Sequence, residues 1–223
     1  MPGTDTAVII LLNMKIKNWK LCLVADADFT AAKDLPVLTL QAVKSGASIV
    51  QLRAKNLYAG EFLDLAFIIA KRLGPHNIPF IINDKVDIAQ ACKADGVHLG
   101  QKDMPLYQAR EILGNNKIIG ISVNTVEEAI KAETEGADYL GASPLFHTDS
   151  KKDLDPELGI KGLQEMRKQV KIPILAIGGI NSSNASEVMA AGADGIAVIS
   201  TILGADDISR ATQKLLKAVS KLS

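Results

Sequence analysis

Gly192-Ala193-Asp194-Gly195 ends a helical pattern and leads directly into a short apolar run, and this arrangement decides the fold class. Related stretches stand at Gly136-Ala137-Asp138-Tyr139 and at Ala94-Asp95-Gly96-Val97. Each combines a helix end, a turn residue and an aspartate that precedes a strand. Turns of this kind belong to the stability face of a β/α barrel, so we expect the three aspartates to be structural.

Eight short apolar runs, bounded by Gly, Asp, Pro or Asn, are spread along the chain. Such runs are typical of strands that are buried on both faces of a parallel sheet. The predicted strands are Leu21–Ala25, Ser48–Leu52, Pro79–Asn83, Gly96–Leu99, Lys117–Ser122, Tyr139–Ala142, Pro173–Ile177 and Gly195–Ile199.

Helical patterns fill the intervals between these strands. Apolar stripes and end signals, such as an N-cap at Thr125 and a terminal glycine at Gly114 or Gly192, mark their bounds. The clearest predicted helices are Glu61–Leu73, Leu106–Leu113, Thr125–Glu135 and Asn184–Ala191.

The alternation continues without a linker along a chain of 223 residues that is 48% apolar. Eight strand–helix units predict an α/β protein with one (β/α)8 TIM barrel domain, and an open doubly wound sheet is the alternative. We expect residues 1–18 to be an N-terminal extension and residues 19–223 to form the catalytic barrel.

Charge and cysteine content limit the partners. The 25 basic and 25 acidic residues balance, so no global field attracts nucleic acid or a membrane surface. The apolar run from Ala7 to Leu12 is too short to span a bilayer. Cys22 and Cys92 match no metal or redox spacing, which suits a reducing compartment. We expect a cytoplasmic protein that acts on small molecules, and the sequence leaves a homo-oligomer open.

Catalytic groups of β/α barrels lie at the carboxyl ends of the strands, so the residues that follow each strand are informative. Gln51, Arg53 and Lys55 alternate at the end of the second strand and share one side. Burying them is costly without an anion, which favours an anion site over a salt-bridged or solvated strand end.

Two carboxylates, Asp84 and Asp103, follow the third and fourth strands, and Asn83 precedes the first of them. Carboxylates on neighbouring barrel loops can share Mg²⁺, which usually binds one or two carboxylates, water and phosphate oxygens. The alternative is that each carboxylate caps the following helix. His98, within the fourth strand, is predicted to be a hydrogen-bonded structural residue.

The remaining strands are followed by hydroxyl groups and glycines. Ser122 ends the fifth strand as a binding group, and the long segment after the sixth strand carries Thr148, Ser150 and Lys151 as anion ligands. Gly178-Gly179 and Ser200 follow the last two strands, where barrels often bind phosphate. Two anion sites at one barrel mouth suit a diphosphate and a second phosphorylated substrate.

These residues resemble the thiamine phosphate synthase family from about Leu21 to Ser200 and beyond. Asp95-Gly96-Val97-His98-Leu99-Gly100-Gln101 with the following Asp103 is the most specific match, whereas Gly178-Gly179 is shared by many phosphate barrels. The other matching stretches are Gln51–Lys55, Ile81–Asp84, Gly120–Ser122, Pro144–Lys151 and Val198–Ser200.

The resemblance implies a transferase of thiamine biosynthesis that joins a pyrimidinylmethyl diphosphate to a thiazole phosphate and releases diphosphate. It implies Mg²⁺ as the cofactor, held by Asp84 and Asp103. It makes Arg53, Lys55 and Lys151 the catalytic cations. The substrate-binding residues that it implies are Gln51, Leu52, Arg53, Ala54, Lys55, Asn83, Ser122, Thr148, Ser150, Lys151, Gly179, Ile199 and Ser200.

Four positions depart from the family pattern: Ala25, Ala54, His147 and Ser150. Ser150 keeps the hydroxyl of the usual Thr. Ala54 replaces an acidic residue, so the orientation of Arg53 or Lys55 is expected to be looser. A thiazole tautomerase, which would use His98 or His147 for proton transfer, a phosphate-ligand binding protein and a phosphosugar isomerase are the rival functions.

Overall fold

The computed structural model describes residues 19–31, 34–148 and 156–220, so the proposed extension over residues 1–18 lies outside it. Its strands occur where the apolar runs predict them. They are β1 (Leu21–Asp26), β2 (Ile49–Arg53), β3 (Phe80–Asn83), β4 (Gly96–Leu99), β5 (Ile118–Val123), β6 (Tyr139–Ala142), β7 (Ile174–Ile177) and β8 (Gly195–Val198).

Helices alternate with these strands, and a 3₁₀ turn spans Gly74–His76. Within the described ranges they are α1 (Leu35–Lys44), α2 (Ala59–Leu73), α3 (Val86–Ala91), α4 (Leu106–Leu113), α5 (Val126–Thr134), α6 (Gly159–Gln169), α7 (Ala185–Ala190), α8 (Ser200–Leu203) and α9 (Ile208–Val219). None of these helices has the length and apolar character needed to cross a membrane.

The strands pair in parallel and in chain order, and β8 pairs back to β1. The closed barrel confirms the predicted TIM barrel, and the open-sheet alternative is wrong. The strand ends differ from the prediction by about one residue: β1 continues to Asp26 and β2 to Arg53. These two residues are partners in the register, so both side chains reach the same end of the barrel.

Burial explains why these sequences form these elements. Every residue of β1, β4, β6 and β8 is buried, as expected for strands enclosed by helices. The predicted apolar stripe of α2 is the buried face of that helix. Thr125 caps α5 by accepting a hydrogen bond from the Glu128 N–H, and Gly114 ends α4 at a positive φ.

The recurring aspartates are structural, as predicted. Each accepts the N–H of a residue near the start of the preceding strand on a side-chain oxygen, and its own N–H donates to the carbonyl of that same residue. Asp138 pairs in this way with Ile119, at 2.7 and 2.8 Å. Asp95 pairs with Phe80 and Asp194 with Ile174, all at 2.8 or 2.9 Å.

A fourth pair of this kind was missed from the sequence because its side chain is a serine. Ser48 Oγ accepts the Leu21 N–H at 3.1 Å, and the Ser48 N–H donates to the Leu21 carbonyl at 2.9 Å. We call these four interactions the reciprocal pairs. They join β1 to β2, β3 to β4, β5 to β6 and β7 to β8 at the amino ends of the strands, so they hold alternate strand pairs in register.

We predict that Asp138→Ala destabilises the barrel by about 2 kcal/mol. The change leaves the N–H of Ile119 without its side-chain acceptor, and the loss of an acceptor for a buried donor costs roughly 1–3 kcal/mol. It also removes the carboxylate that pairs with Arg110 at 2.7 Å. Urea-induced unfolding measures the effect. Asp64→Ala, on the exposed face of α2, is the control. Equal stability losses in the two variants would contradict the structural role of Asp138.

Candidate active site

Alternation along β2 places polar side chains in the barrel and apolar ones in the layer outside. Gln51 and Arg53 belong to the polar set, and Gln51 is buried. The side chains of Leu52 and Ala54 belong to the hydrophobic core, so they offer a ligand only their backbone atoms. Lys55 lies just beyond the strand with an exposed side chain.

Arg53 is held by two carboxylates that sequence reasoning missed. Its Nη1 lies 2.6 Å from Asp26 Oδ2 and 3.3 Å from Asp28 Oδ2. Asp28 also accepts the backbone N–H groups of Lys55 and Asn56, at 3.2 and 3.3 Å. The two aspartates therefore connect the end of β1 to the end of β2 and fix the guanidinium at the mouth. They directly follow the predicted first strand, where the same reading that identified Asp84 would have found them.

Asp84 and Asp103 come together as the sequence predicts. Asp84 adopts a positive φ of 65° between β3 and α3, and its N–H donates to the His98 carbonyl at 2.8 Å. Burial and the neighbouring charge of Asp103 raise the pKa of Asp84 to about 6. Lys55 Nζ lies 3.6 Å from Asp84 Oδ2, and its positive charge offsets part of this increase in the pKa of Asp84.

Neither carboxylate caps a helix, so that alternative is wrong. Asp84 lies outside α3, whose N-cap is Lys85, and Asp103 Oδ2 accepts the Gly100 N–H at 2.7 Å within its own loop. Two adjacent, partly buried carboxylates repel each other, and a divalent cation would relieve that repulsion. Oxygen donors in this number suit Mg²⁺, which commonly completes its shell with water and phosphate. No group of three His, Cys, Asp or Glu ligands exists among the described residues.

Ser122 lies between the two predicted anion sites, near the end of β5. Its hydroxyl is 2.8 Å from His98 Nε2, and its carbonyl accepts a hydrogen bond from Gln101 Nε2 at 2.7 Å. His98 is buried and hydrogen-bonded through both ring nitrogens, as predicted. Asn83 is half-buried at the end of β3.

A cavity of about 50 Å³ lies beyond the ends of β7 and β8. A water molecule needs roughly 10–15 Å³ of such space, so a small group such as phosphate can enter it. Four of the predicted site residues line this cavity: Thr148, Gly179, Ile199 and Ser200.

The two glycines after β7 are required by their backbone and by a close neighbour. Gly178 and Gly179 have φ values of 104° and 63°, which side chains rarely adopt. A Cβ on Gly179 would lie 2.5 Å from the His147 carbonyl oxygen and 2.8 Å from Phe146 Cβ. The glycines therefore allow the segment after β6 to pack over β7, which brings Thr148 to the cavity.

Two predicted ligands, Ser150 and Lys151, lie outside the described residues. His147 is described, and its side chain is 77% exposed, with Nδ1 at 3.8 Å from Glu157 Oε1.

Comparison with known proteins identifies the family. The thiamine monophosphate synthase family model matches residues 21–202. This chain belongs to that family. It is 48% identical over 198 residues to a thiamine-phosphate synthase of Clostridium novyi, covering 89% of this chain and 97% of the relative. A thiamine-phosphate synthase of Clostridium tetani is 47% identical over 195 residues, covering 87% and 93%.

A solved structure agrees with these sequence matches. The thiamine phosphate pyrophosphorylase of Pyrococcus furiosus superposes with a TM-score of 0.84 at 40% identity, covering 94% of this chain and 99% of that one. The resemblance noted from the motifs is thus confirmed. The chain is an enzyme, a transferase of thiamine biosynthesis.

Among the departures from the family pattern, Ala54 has a local explanation. Its side chain is 3% exposed within the core. Arg53 is oriented by Asp26 and Asp28 instead, so the expected loosening of Arg53 is wrong.

We predict that Asp26→Asn destabilises the protein by roughly 3 kcal/mol, because it removes the nearer and more buried carboxylate and leaves only Asp28, at 3.3 Å, to compensate the charge of Arg53. Asp26 has a side chain that is 3% exposed. Asp28→Asn should cost less, because the side chain of Asp28 is 20% exposed and lies farther from the guanidinium. Urea-induced unfolding of both variants measures the difference, and a larger loss for Asp28→Asn would overturn the ranking.

Proposed function

We propose that this chain joins 4-amino-2-methyl-5-pyrimidinylmethyl diphosphate to thiazole phosphate, producing thiamine phosphate and diphosphate. The observation that carries the proposal is the division of one barrel mouth into two sites. A charged site follows β1 to β4, and a small cavity follows β7 and β8. Ser122 lies between them on β5.

The charged site would hold the pyrimidine diphosphate. Arg53 and Lys55 supply two cations, and Asn83 supplies an amide next to them. Because Arg53 is held by two carboxylates, its position is set before the substrate arrives, and Asp84 keeps Lys55 nearby. Preorganised charge of this kind stabilises a leaving group without rearrangement during the reaction.

The cavity would hold the thiazole phosphate. Ser200 and Thr148 supply hydroxyl groups, and Gly179 and Ile199 supply backbone groups along its wall. A phosphate bound there would direct the ring of this substrate toward the centre of the barrel, where Ser122 and Gln51 would contact the pyrimidine. We assign Ser150 to the thiazole substrate and Lys151 to the diphosphate through the family resemblance.

The chemistry is a dissociative displacement. The bond between the pyrimidinylmethyl carbon and the diphosphate oxygen breaks, and its electron pair leaves with the diphosphate. The electron-rich aminopyrimidine stabilises the cation that results. The thiazole nitrogen then donates its lone pair to that carbon. The protein's own residues bind and orient the two substrates and exclude water from them. The scheme requires no protein nucleophile.

Asp84 and Asp103 would hold Mg²⁺, which supplies positive charge to the leaving diphosphate when it is bound. Burial and the neighbouring charge of Asp103, which together raise the pKa of Asp84, support this assignment. We also propose that the enzyme acts in the cytoplasm, and the two buried, unpaired cysteines agree with a reducing compartment.

The thiazole tautomerase is the closest rival function. It would have no use for a carboxylate pair that faces two cations, and the pair is present here. The exposed His147 and the buried His98 are the histidines that it would need, and His98 is engaged with Tyr139 and Ser122.

We predict that the purified protein forms thiamine phosphate and diphosphate in equal amounts when both substrates and Mg²⁺ are present. Chelation of the metal should stop the reaction, and addition of Mg²⁺ should restore it. A folded protein that forms no product under these conditions would refute the proposed function.

Asp84→Asn should lower kcat/KM at least about 100-fold, since changes in the supporting shell of a metal alone cost roughly 10–100-fold. Asp87→Asn is the matched control, because Asp87 is an exposed carboxylate on α3 three residues away. It should keep wild-type activity. Undiminished turnover of Asp84→Asn would remove the metal assignment.

Gly179→Ala should raise the KM for thiazole phosphate about tenfold, because the new methyl group displaces the segment that carries Thr148. Gly136→Ala is the control for backbone strain. Gly136 has a φ of 91°, and a Cβ there would meet nothing within 4 Å. Both variants should lose stability, and only Gly179→Ala should change the KM. A similar KM change in both would show that the cavity is not the thiazole phosphate site.

A further inference from the structure

The interior of the barrel contains a chain of polar groups that ends at Ser122. Tyr139 Oη lies 2.9 Å from His98 Nδ1, and His98 Nε2 lies 2.8 Å from Ser122 Oγ. The Gln51 side chain lies close enough to the Tyr139 hydroxyl to lower the pKa of that phenol. These groups come from β2, β4, β5 and β6, so the chain crosses the barrel from one wall to the other.

This polar chain occupies space that two glycines leave open. A Cβ on Gly120 would lie 2.1 Å from Tyr139 Cζ, and a Cβ on Gly141 would lie 2.7 Å from His98 Cε1. Gly120 is the register partner of both His98 and Tyr139, and Gly141 is the partner of Ser122. The rings therefore lie where side chains of β5 and β6 would otherwise fill the barrel.

Apolar side chains would fill this layer at lower cost. Barrel interiors are dominated by Val, Ile and Leu, and a buried polar group costs free energy unless it is hydrogen-bonded. Tyr139 is 0% exposed and His98 is 3% exposed. Ser122 is half-buried and closest to the mouth. A series of hydrogen bonds that serves packing alone could end within the core. This polar chain instead ends at Ser122, a predicted substrate ligand.

From these contacts we infer that Tyr139 and His98 are positioning residues, which fix the Ser122 hydroxyl so that its proton points at the pyrimidine substrate. The inference rests on the proposed function for the identity of that substrate. Neither residue touches the reacting atoms, and both act through Ser122.

The inference requires one direction for these hydrogen bonds, and it therefore requires one of the two neutral tautomers of His98. In that direction the Tyr139 phenol, beside the Gln51 side chain, donates its proton to His98 Nδ1. The neutral imidazole then carries its proton on Nε2 and donates it to Ser122 Oγ. The serine proton is left to donate toward the mouth. Burial raises the pKa of Tyr139 well above its ordinary value, so the phenol keeps the proton that this order requires.

A double-mutant cycle tests whether Tyr139 acts through Ser122. Tyr139→Phe keeps the ring and removes only the hydroxyl. It should lower kcat/KM for the pyrimidine diphosphate about five- to tenfold, the equivalent of one neutral hydrogen bond. The KM for thiazole phosphate should stay unchanged. In a Ser122→Ala background the same substitution should have less than about a twofold effect.

Tyr107→Phe is the matched control, because Tyr107 is 61% exposed and bonds only Gln108 among the contacts described for it. It should behave as wild type. An equal loss from Tyr139→Phe with and without the Ser122 hydroxyl would overturn the inference, and so would wild-type kinetics of folded Tyr139→Phe.

The tautomer of His98 provides a second readout that needs no catalysis. The chain has three histidines, so nitrogen NMR of histidine-labelled wild-type protein can resolve them. We expect the Nε2-protonated form of His98, and the Nδ1-protonated form would overturn the inference. If the wild-type protein forms no product, the proposed function fails, and the tautomer then decides whether Tyr139 and His98 direct the Ser122 proton to the mouth.

Discussion

The reciprocal pairs at the amino ends of the strands are the constraint on which the rest of the barrel depends. Each pair closes two hydrogen bonds between the residue before an even-numbered strand and a residue near the start of the preceding strand. A slip of one residue would turn every side chain of a strand to its other face. The pairs oppose such slips in four places, and they lie at the opposite end of the barrel from the candidate active site. Stability and chemistry are therefore divided between the two ends.

Register in turn decides which charges meet at the mouth. Asp26 is opposite Arg53 because β1 and β2 are aligned as they are, and their side chains approach to 2.6 Å. Lys55 and Asp84 meet in the same region. Each cation is thus partly neutralised by a carboxylate. This limits the cost of holding cations near a buried interior, and it fixes their positions for an anionic substrate.

Much of this arrangement was predictable from local sequence. The eight strands were found because short apolar runs with polar ends are typical of buried strands in an α/β protein. Asp84 and Asp103 were found because the carboxyl ends of neighbouring strands converge. Asp26 and Asp28 follow the predicted first strand as Asp84 follows the third, so their place at the mouth was predictable, and only their pairing with Arg53 required the structure. Ser48 was missed because the repeat was recognised by its aspartate. Tyr139 was also missed, because an aromatic residue in a strand is ordinarily part of the core.

The sequence by itself determined the order of elements and the family, because these depend on periodicity, turn residues and motifs that are local in the chain. The closure of the barrel was decided by the pairing of β8 with β1, which the sequence left open against an open sheet. Only the tertiary structure decided which groups touch. The pairing of Arg53 with two aspartates and the polar chain from Tyr139 through His98 to Ser122 consist of contacts between residues that are 24 to 41 positions apart. Contacts of this kind depend on strand register and on the space that Gly120 and Gly141 leave inside the barrel. No single segment of the sequence shows either feature.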